Sequence, residues 1–73
     1  MSHESSAQWQ YEIRVEHQLG PGVAALFPEL KLTYEQQETV MRGTLADQAA
    51  LHGVLMRIRD LGLTLVALRR VAP

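Results

Sequence analysis

The sequence predicts an α+β domain with the ferredoxin-like βαββαβ arrangement, in which one long and one short helix lie on one face of a four-stranded antiparallel sheet. Two patterns support this fold class. Apolar and charged residues alternate in the first two strand segments, and apolar residues recur at helical spacing in a later segment. The segments follow in the order strand, short helix, strand, strand, long helix, strand, which is the order of the split βαβ unit.

The first half of the chain contains the two clearest strand segments and a break between them. Apolar and charged residues alternate over 11–16 and again over 30–35, which predicts two half-buried strands. Gly20-Pro21-Gly22 interrupts the pattern. Either Pro21 or Gly22 can open a short helix over Val23–Phe27 that stops before Pro28, although the same segment is compatible with a structured loop.

The third strand segment follows a predicted hairpin. Gln36-Gln37 occupies the expected tip, and a β-rich run covers 39–44. Met41 and Leu45 are the preferred inward residues of this strand, and Val40 is the alternative. Alternation alone does not choose between the two faces.

A long helix is predicted from Asp47 to Leu61. Its apolar residues fall on one stripe: Ala50, Leu51, Val54, Leu55, Ile58 and Leu61. Within that stripe, Leu51, Leu55 and Ile58 are the expected core residues, because their spacing places all three close together on the helix surface.

Residues at both ends of this segment favour a helix of that length. Thr44 and Asp47 resemble a capping box, and Asp47 is alternatively the N-cap itself. Arg57 and Arg59 lie near the negative end of the helix dipole. Gly62 is suited to the left-handed residue that ends a helix.

The last strand segment, 63–71, is apolar on both sides. Strict alternation puts Val66 and Leu68 on the sheet face away from the helices. In the predicted topology this is an edge strand, where an exposed apolar ladder favours pairing with another chain. The alternative is that the strand is central and covered. A second candidate surface is the outward side of the long helix: Ala49, Gly53 and Met56.

Two stretches of the second half resemble a known group of proteins. The runs D-Q-A-A-L-H-G-V-L at 47–55 and I-R-D-L-G-L at 58–63 resemble a motif of small stand-alone microbial proteins. The first strand, Y-E-I-R-V at 11–15, resembles them more loosely. No activity is known for this group, so the resemblance implies no catalytic or ligand-binding role for any residue.

Composition restricts the function classes. The 73 residues contain no cysteine and carry a net charge of −1, which excludes disulfides and thiolate metal sites and argues against nucleic-acid binding. The longest apolar run, 61–68, is too short to cross a membrane, and the N-terminus lacks the features of a signal peptide. We expect a cytoplasmic protein with a disordered tail at 1–8 and a single α+β domain at 9–73.

The sequence contains no recognisable motif for catalysis, cofactor binding or metal coordination. The histidines His3, His17 and His52 have no second ligand at a zinc-binding spacing. No serine lies in a nucleophile elbow, and the glycines fit no phosphate-binding loop. We therefore expect no enzyme activity, no cofactor and no bound metal.

The function favoured by these observations is a non-enzymatic protein-interaction or regulatory module that acts as a homodimer. A chain this short builds a small core, and without disulfide or metal the remaining reinforcement is self-association. The alternative is a small-ligand sensor that binds a metabolite at the dimer interface, by analogy with other domains of the predicted fold. An additional, unidentified protein partner is compatible with the first function.

Overall fold

The computed structural model describes residues 9–71. Its four strands form one sheet in the order β2-β3-β1-β4, with every neighbouring pair antiparallel. The predicted α+β class, with a four-stranded antiparallel sheet and two helices, is confirmed. The tail expected at 1–8 lies outside the described residues. The elements are β1 (Trp9–Glu16), α1 (Pro21–Ala24), β2 (Lys31–Glu35), β3 (Glu38–Leu45), α2 (Gln48–Asp60) and β4 (Leu65–Val71).

β1 is a central strand, and its alternation separates the two faces of the sheet. Tyr11, Ile13 and Val15 are buried on the face that carries the helices. Opposed residues of paired strands share a face, and Ile13 lies opposite Met41 in β3. This register settles the ambiguity of the third strand, because Met41 points into the core, whereas Val40 lies opposite Arg14 on the other face.

The core is a layer between the helix face of the sheet and the helices. Phe27, in the connection from α1 to β2, is fully buried, and the Arg57 guanidinium lies over its ring at 5.1 Å from the centroid. The same connection presses against β3 at Gly43. A β-carbon on Gly43 would lie 2.8 Å from the Glu29 carbonyl oxygen and 2.8 Å from a methyl carbon of Leu30. Glycine therefore allows this close approach.

Local hydrogen bonds define both ends of α2. The Asp47 carboxylate accepts the Ala50 N–H at 2.8 Å, so Asp47 is the N-cap. At the other end Gly62 has φ +75° and donates to the Arg59 carbonyl at 3.0 Å. The Leu63 N–H bonds to the Ile58 carbonyl at 3.1 Å, which completes a Schellman motif.

Three sequence-based expectations about the bounds of α1 and β4 and the buried residues of α2 require correction. α1 opens at Pro21, one of the two expected first residues, but it ends at Ala24 rather than at Phe27, because the following residues form tighter turns. β4 begins at Leu65 rather than at residue 63, because the preceding residues form the helix cap. On α2 the fully buried position is Val54, whereas Leu55 is half-buried and Leu61 is 43% exposed.

The β2–β3 hairpin has the predicted tip. Glu35 and Glu38 form its last strand pair, so Gln36 and Gln37 make the turn. Gln36 adopts φ +58°, a left-handed conformation that costs a side-chain-bearing residue about 1–2 kcal/mol. Hairpin turns of two residues require such a conformation, and the sequence supplies no glycine for it.

Candidate interaction surface

β4 forms one edge of the sheet and is exposed along its whole length. All seven of its residues are exposed, and among the described strands it pairs only with β1. Its large apolar side chains are between 36% and 45% exposed: Leu65, Val66, Leu68 and Val71. An edge strand leaves one row of backbone N–H and C=O groups without strand partners. β4 therefore combines backbone groups free for pairing with an apolar surface.

The register of β4 corrects the expected orientation of Leu68. Leu68 lies opposite Ile13, so it shares the helix face of the sheet rather than the face away from the helices. The register shifts between Arg14 and Val15, which leaves Val66 as an extra residue in β4. Because this bulge interrupts the alternation, the two-residue periodicity used on the sequence assigns the wrong face.

One flank of α2 carries a second uncovered surface. His52, Leu55, Met56 and Arg59 line a shallow groove along this flank. The opposite flank is occupied, since Arg57 donates to the Leu26 carbonyl at 2.6 Å and forms an ion pair with Glu29. We call α1 together with the connection from α1 to β2 the α1 segment. The α1 segment covers one side of α2, and the groove lies on the side that it leaves free.

The outward residues of α2 lie where the sequence places them. Ala49 and Met56 are exposed, and Met56 is 53% exposed. Gly53 is half-buried, and the space that a β-carbon would occupy there is open. Met56 thus belongs both to this outward side and to the groove.

A network of arginines and glutamates covers the sheet face away from the helices. Arg14 donates to Glu12 at 3.1 Å, to Glu35 at 2.9 Å and to Glu38 at 3.3 Å. Val40 lies beneath this network and is fully buried. Long charged side chains can bury apolar surface with their stems, which explains a buried valine on a face without helices.

Two further arginines extend the network across the sheet. Arg42 donates to Glu12 at 3.1 Å and to Glu35 at 3.0 Å, and Arg69 of β4 reaches Glu12 at 3.4 Å. Burial raises the pKa of Glu12, but hydrogen bonds from Arg14 and Arg42 outweigh it and hold the pKa below the ordinary value. Hydrogen bonds from Arg42 and Arg14 also lower the pKa of Glu35. We call these six side chains the open-face network; its members are Glu12, Arg14, Glu35, Glu38, Arg42 and Arg69.

The open-face network affects which ligands this face can accept. Single-stranded nucleic acids bind sheets through exposed aromatic side chains on the central strands. Within residues 9–71, the corresponding positions of β1 and β3 carry charged, polar or aliphatic residues. The described part of this face therefore presents ion pairs rather than an aromatic stacking platform.

Two contacts near the surface were not anticipated from the sequence. The Arg70 guanidinium lies 4.1 Å from the centroid of the Trp9 ring, a cation–π contact on the helix face at the end of β4. Arg57 connects α2 to the α1 segment, as described above. Neither has a local sequence signal, because each joins residues far apart in the chain.

The histidines and acidic residues of the described chain form no metal-binding cluster. His17 and His52 are exposed, and His3 lies outside the described residues. Among residues 9–71, no three His, Asp or Glu side chains lie close enough to hold a metal ion. No helix within that range is long and apolar enough to cross a bilayer.

Comparison with known proteins identifies a family but no activity. A family model described as a domain of unknown function, DUF8691, matches residues 10–69. The matched segment takes in both helices and most of the candidate surface. No curated protein and no solved structure matches the chain.

Proposed function

We propose a function for this chain, which belongs to the DUF8691 family of domains of unknown function. It is a non-enzymatic protein-interaction or regulatory module that acts as a cytoplasmic homodimer. We also assign it the ferredoxin-like topology. The strand order β2-β3-β1-β4 supports this, because each βαβ crossover spans one intervening antiparallel strand.

The observation that carries the proposal is the exposed apolar edge at β4. The other surfaces of the sheet are occupied: the open-face network covers one face, and α2 with the α1 segment covers most of the other. Among residues 9–71, β4 and the free flank of α2 each present several exposed apolar side chains close together. Exposed apolar patches next to an unpaired strand edge are typical of protein association sites.

The apolar area at this edge is of the size that weak association requires. Four side chains of β4 are 36–45% exposed. Burying the exposed part of each side chain yields roughly 0.5–1 kcal/mol. Two chains would gain roughly 4–8 kcal/mol, comparable with the lower part of the roughly 4–15 kcal/mol cost of association. Hydrogen bonds between strand edges would add about 0.5–1.5 kcal/mol each.

Light scattering on purified protein tests the homodimer. The wild-type chain should be a dimer at micromolar concentration, and Leu68→Lys should be a monomer because it places like charges across a symmetric contact. Leu61→Lys is the matched control, since Leu61 is 43% exposed and Leu68 is 41% exposed, but Leu61 lies at the end of α2. It should remain dimeric. A wild-type monomer at high micromolar concentration contradicts the proposal.

The alternative is a small-ligand sensor, and the α2 groove favours it. The groove combines Leu55 and Met56 with the polar groups of His52 and Arg59, a mixture suited to a small amphipathic metabolite. A bound metabolite should raise the melting temperature of the wild-type chain. Arg59→Ala should abolish that shift if the groove is the site. An interaction module without a ligand shows no shift with any compound of a metabolite panel.

A further inference from the structure

We infer that two copies of this chain join their β4 strands edge to edge in antiparallel register, with Leu68 on the two-fold axis. The two sheets then form one continuous eight-stranded sheet. The inference rests on the proposed homodimer and adds to it the strand, the direction of pairing and the residue at the centre.

The two edges of the sheet differ in their capacity for such pairing. β2, at the other edge, has five residues, includes Lys31 and ends in Glu35, a member of the open-face network. Short charged edge strands are the usual protection against pairing. β4 has seven residues, and its two charged side chains already have partners within the chain: Arg69 contacts Glu12 and Arg70 lies over Trp9. β4 is therefore the edge at which a second chain meets the fewest unpaired charges.

Symmetry limits the register to a few choices. Residues opposite each other in antiparallel strands share a face of the sheet. Neighbouring residues of a regular strand point to opposite faces, so two opposed residues must be separated by an even number of positions. The two-fold axis therefore lies between one residue and the same residue of the second copy. In β4 the choices away from the strand ends are Val66, Ala67, Leu68, Arg69 and Arg70.

Charge and the bulge select Leu68 from these choices. An axis at Arg69 or Arg70 sets two guanidinium groups directly opposite each other, which is unfavourable. An axis at Val66 puts the bulge at the centre of the ladder, and an axis at Ala67 puts it one residue from the centre. With the axis at Leu68, Arg69 faces Ala67 of the second copy, whose small side chain leaves the Arg69–Glu12 contact at 3.4 Å in place.

This arrangement also brings the α2 grooves of both copies to the interface. A two-fold axis perpendicular to the sheet keeps all helices on one face. Neighbouring strands are about 4.8 Å apart, so the two β1 strands would be about 14 Å apart. The free flank of α2, with Leu55 and Met56, then faces its copy across a floor that contains Leu68 of both chains.

Disulfide cross-linking tests the register directly, because the chain contains no cysteine. Opposed residues in antiparallel strands have α-carbons about 4.5–5.5 Å apart, within the range that a disulfide spans. Under mild oxidation Leu68→Cys should give a cross-linked dimer at a yield at least several-fold above those of Ala67→Cys and Arg69→Cys. The cross-link should be absent when the same variant is oxidised in concentrated urea.

The outcomes separate the register from the homodimer. Strongest cross-linking at Ala67 or Arg69, or none at Leu68 while light scattering reports a dimer, overturns the register and leaves the proposed function standing. Efficient cross-linking of Met56→Cys with none at Leu68 assigns the contact to the outer side of α2 and also overturns the register. A monomeric wild-type chain overturns both.

Discussion

Replacing Gly43 with alanine measures how tightly the connection from α1 to β2 is held against the sheet. The new methyl group would lie 2.8 Å from a backbone oxygen of Glu29 and 2.8 Å from a side-chain carbon of Leu30. Overpacking of this kind costs about 1–3 kcal/mol. Alanine also removes the conformational freedom of glycine in the unfolded chain, which returns about 0.5–1 kcal/mol. Because one of the two close contacts is with a backbone atom, we expect a cost in the upper half of that range, about 2–3 kcal/mol, and therefore a net loss of roughly 1–2.5 kcal/mol.

Gly53 provides the matched control for this substitution. It is also a glycine in the interior of a regular element, but a β-carbon there meets no atom within 4 Å. Gly53→Ala should therefore stabilise the domain by about 1 kcal/mol, the difference in helix propensity. The opposite signs of the two changes test the packing geometry rather than the residue type.

Urea unfolding monitored by circular dichroism gives both free energies. All variants are compared at one protein concentration, because any association makes stability depend on concentration. Unchanged urea dependence with a shifted midpoint identifies a true change in stability. If Gly43→Ala is as stable as the wild type, the connection moves away from β3 at little cost, and the reasoning about the close approach is wrong.

Three further perturbations test the core, the helix cap and the open-face network. Ile58→Ala should lower the free energy of unfolding in urea by about 2–4 kcal/mol, and Leu55→Ala should lower it clearly less. The reason is that Ile58 is 3% exposed whereas Leu55 is half-buried. Equal losses of unfolding free energy would contradict the assigned helix face. Asp47→Ala should cost about 1 kcal/mol through loss of the N-cap, and Asp47→Asn should recover most of it. Stability should fall as the pH drops below about 4.5, the ordinary pKa of Glu12 and Glu35, and should continue to fall through their lowered folded pKa values. The cause is that the unfolded chain binds more protons than the folded chain in this pH range. Glu12→Gln should flatten the pH dependence, and an unchanged slope would show that the open-face network does not set it.

The features that the sequence predicted well are those set by neighbouring residues. The ends of α2 were placed within one residue, because Asp47 and Gly62 act on the backbone groups beside them. The hairpin tip at Gln36 was also located, although the left-handed conformation of that residue has no signal in its identity. Local chemistry was sufficient in both cases.

The features that the sequence did not predict depend on contacts between distant segments. The orientation of Leu68 depends on a bulge that forms only when β4 pairs with β1. The burial of Val40 depends on Arg14 and its carboxylate partners on other strands, so no periodicity within β3 reports it. The position of the last strand at an edge of the sheet was therefore predicted, but the face occupied by Leu68 was not.

The central position of β1 has a consequence for the time course of folding. Both strand partners of β1 follow it in the chain, and Glu12 and Arg69, which meet across the β1–β4 pair, are 57 residues apart in sequence. The β2–β3 hairpin has the only strand pairing between consecutive strands of the described chain, so it can form first. β1 gains its second strand neighbour only when β4, the most distant segment, pairs with it. Such non-local pairing slows folding, because the entropy of closing a long loop is lost before the contacts form. During synthesis one backbone edge of β1 therefore stays unpaired until β4 has left the ribosome, and unpaired strand edges of this kind make a partly folded chain prone to aggregation.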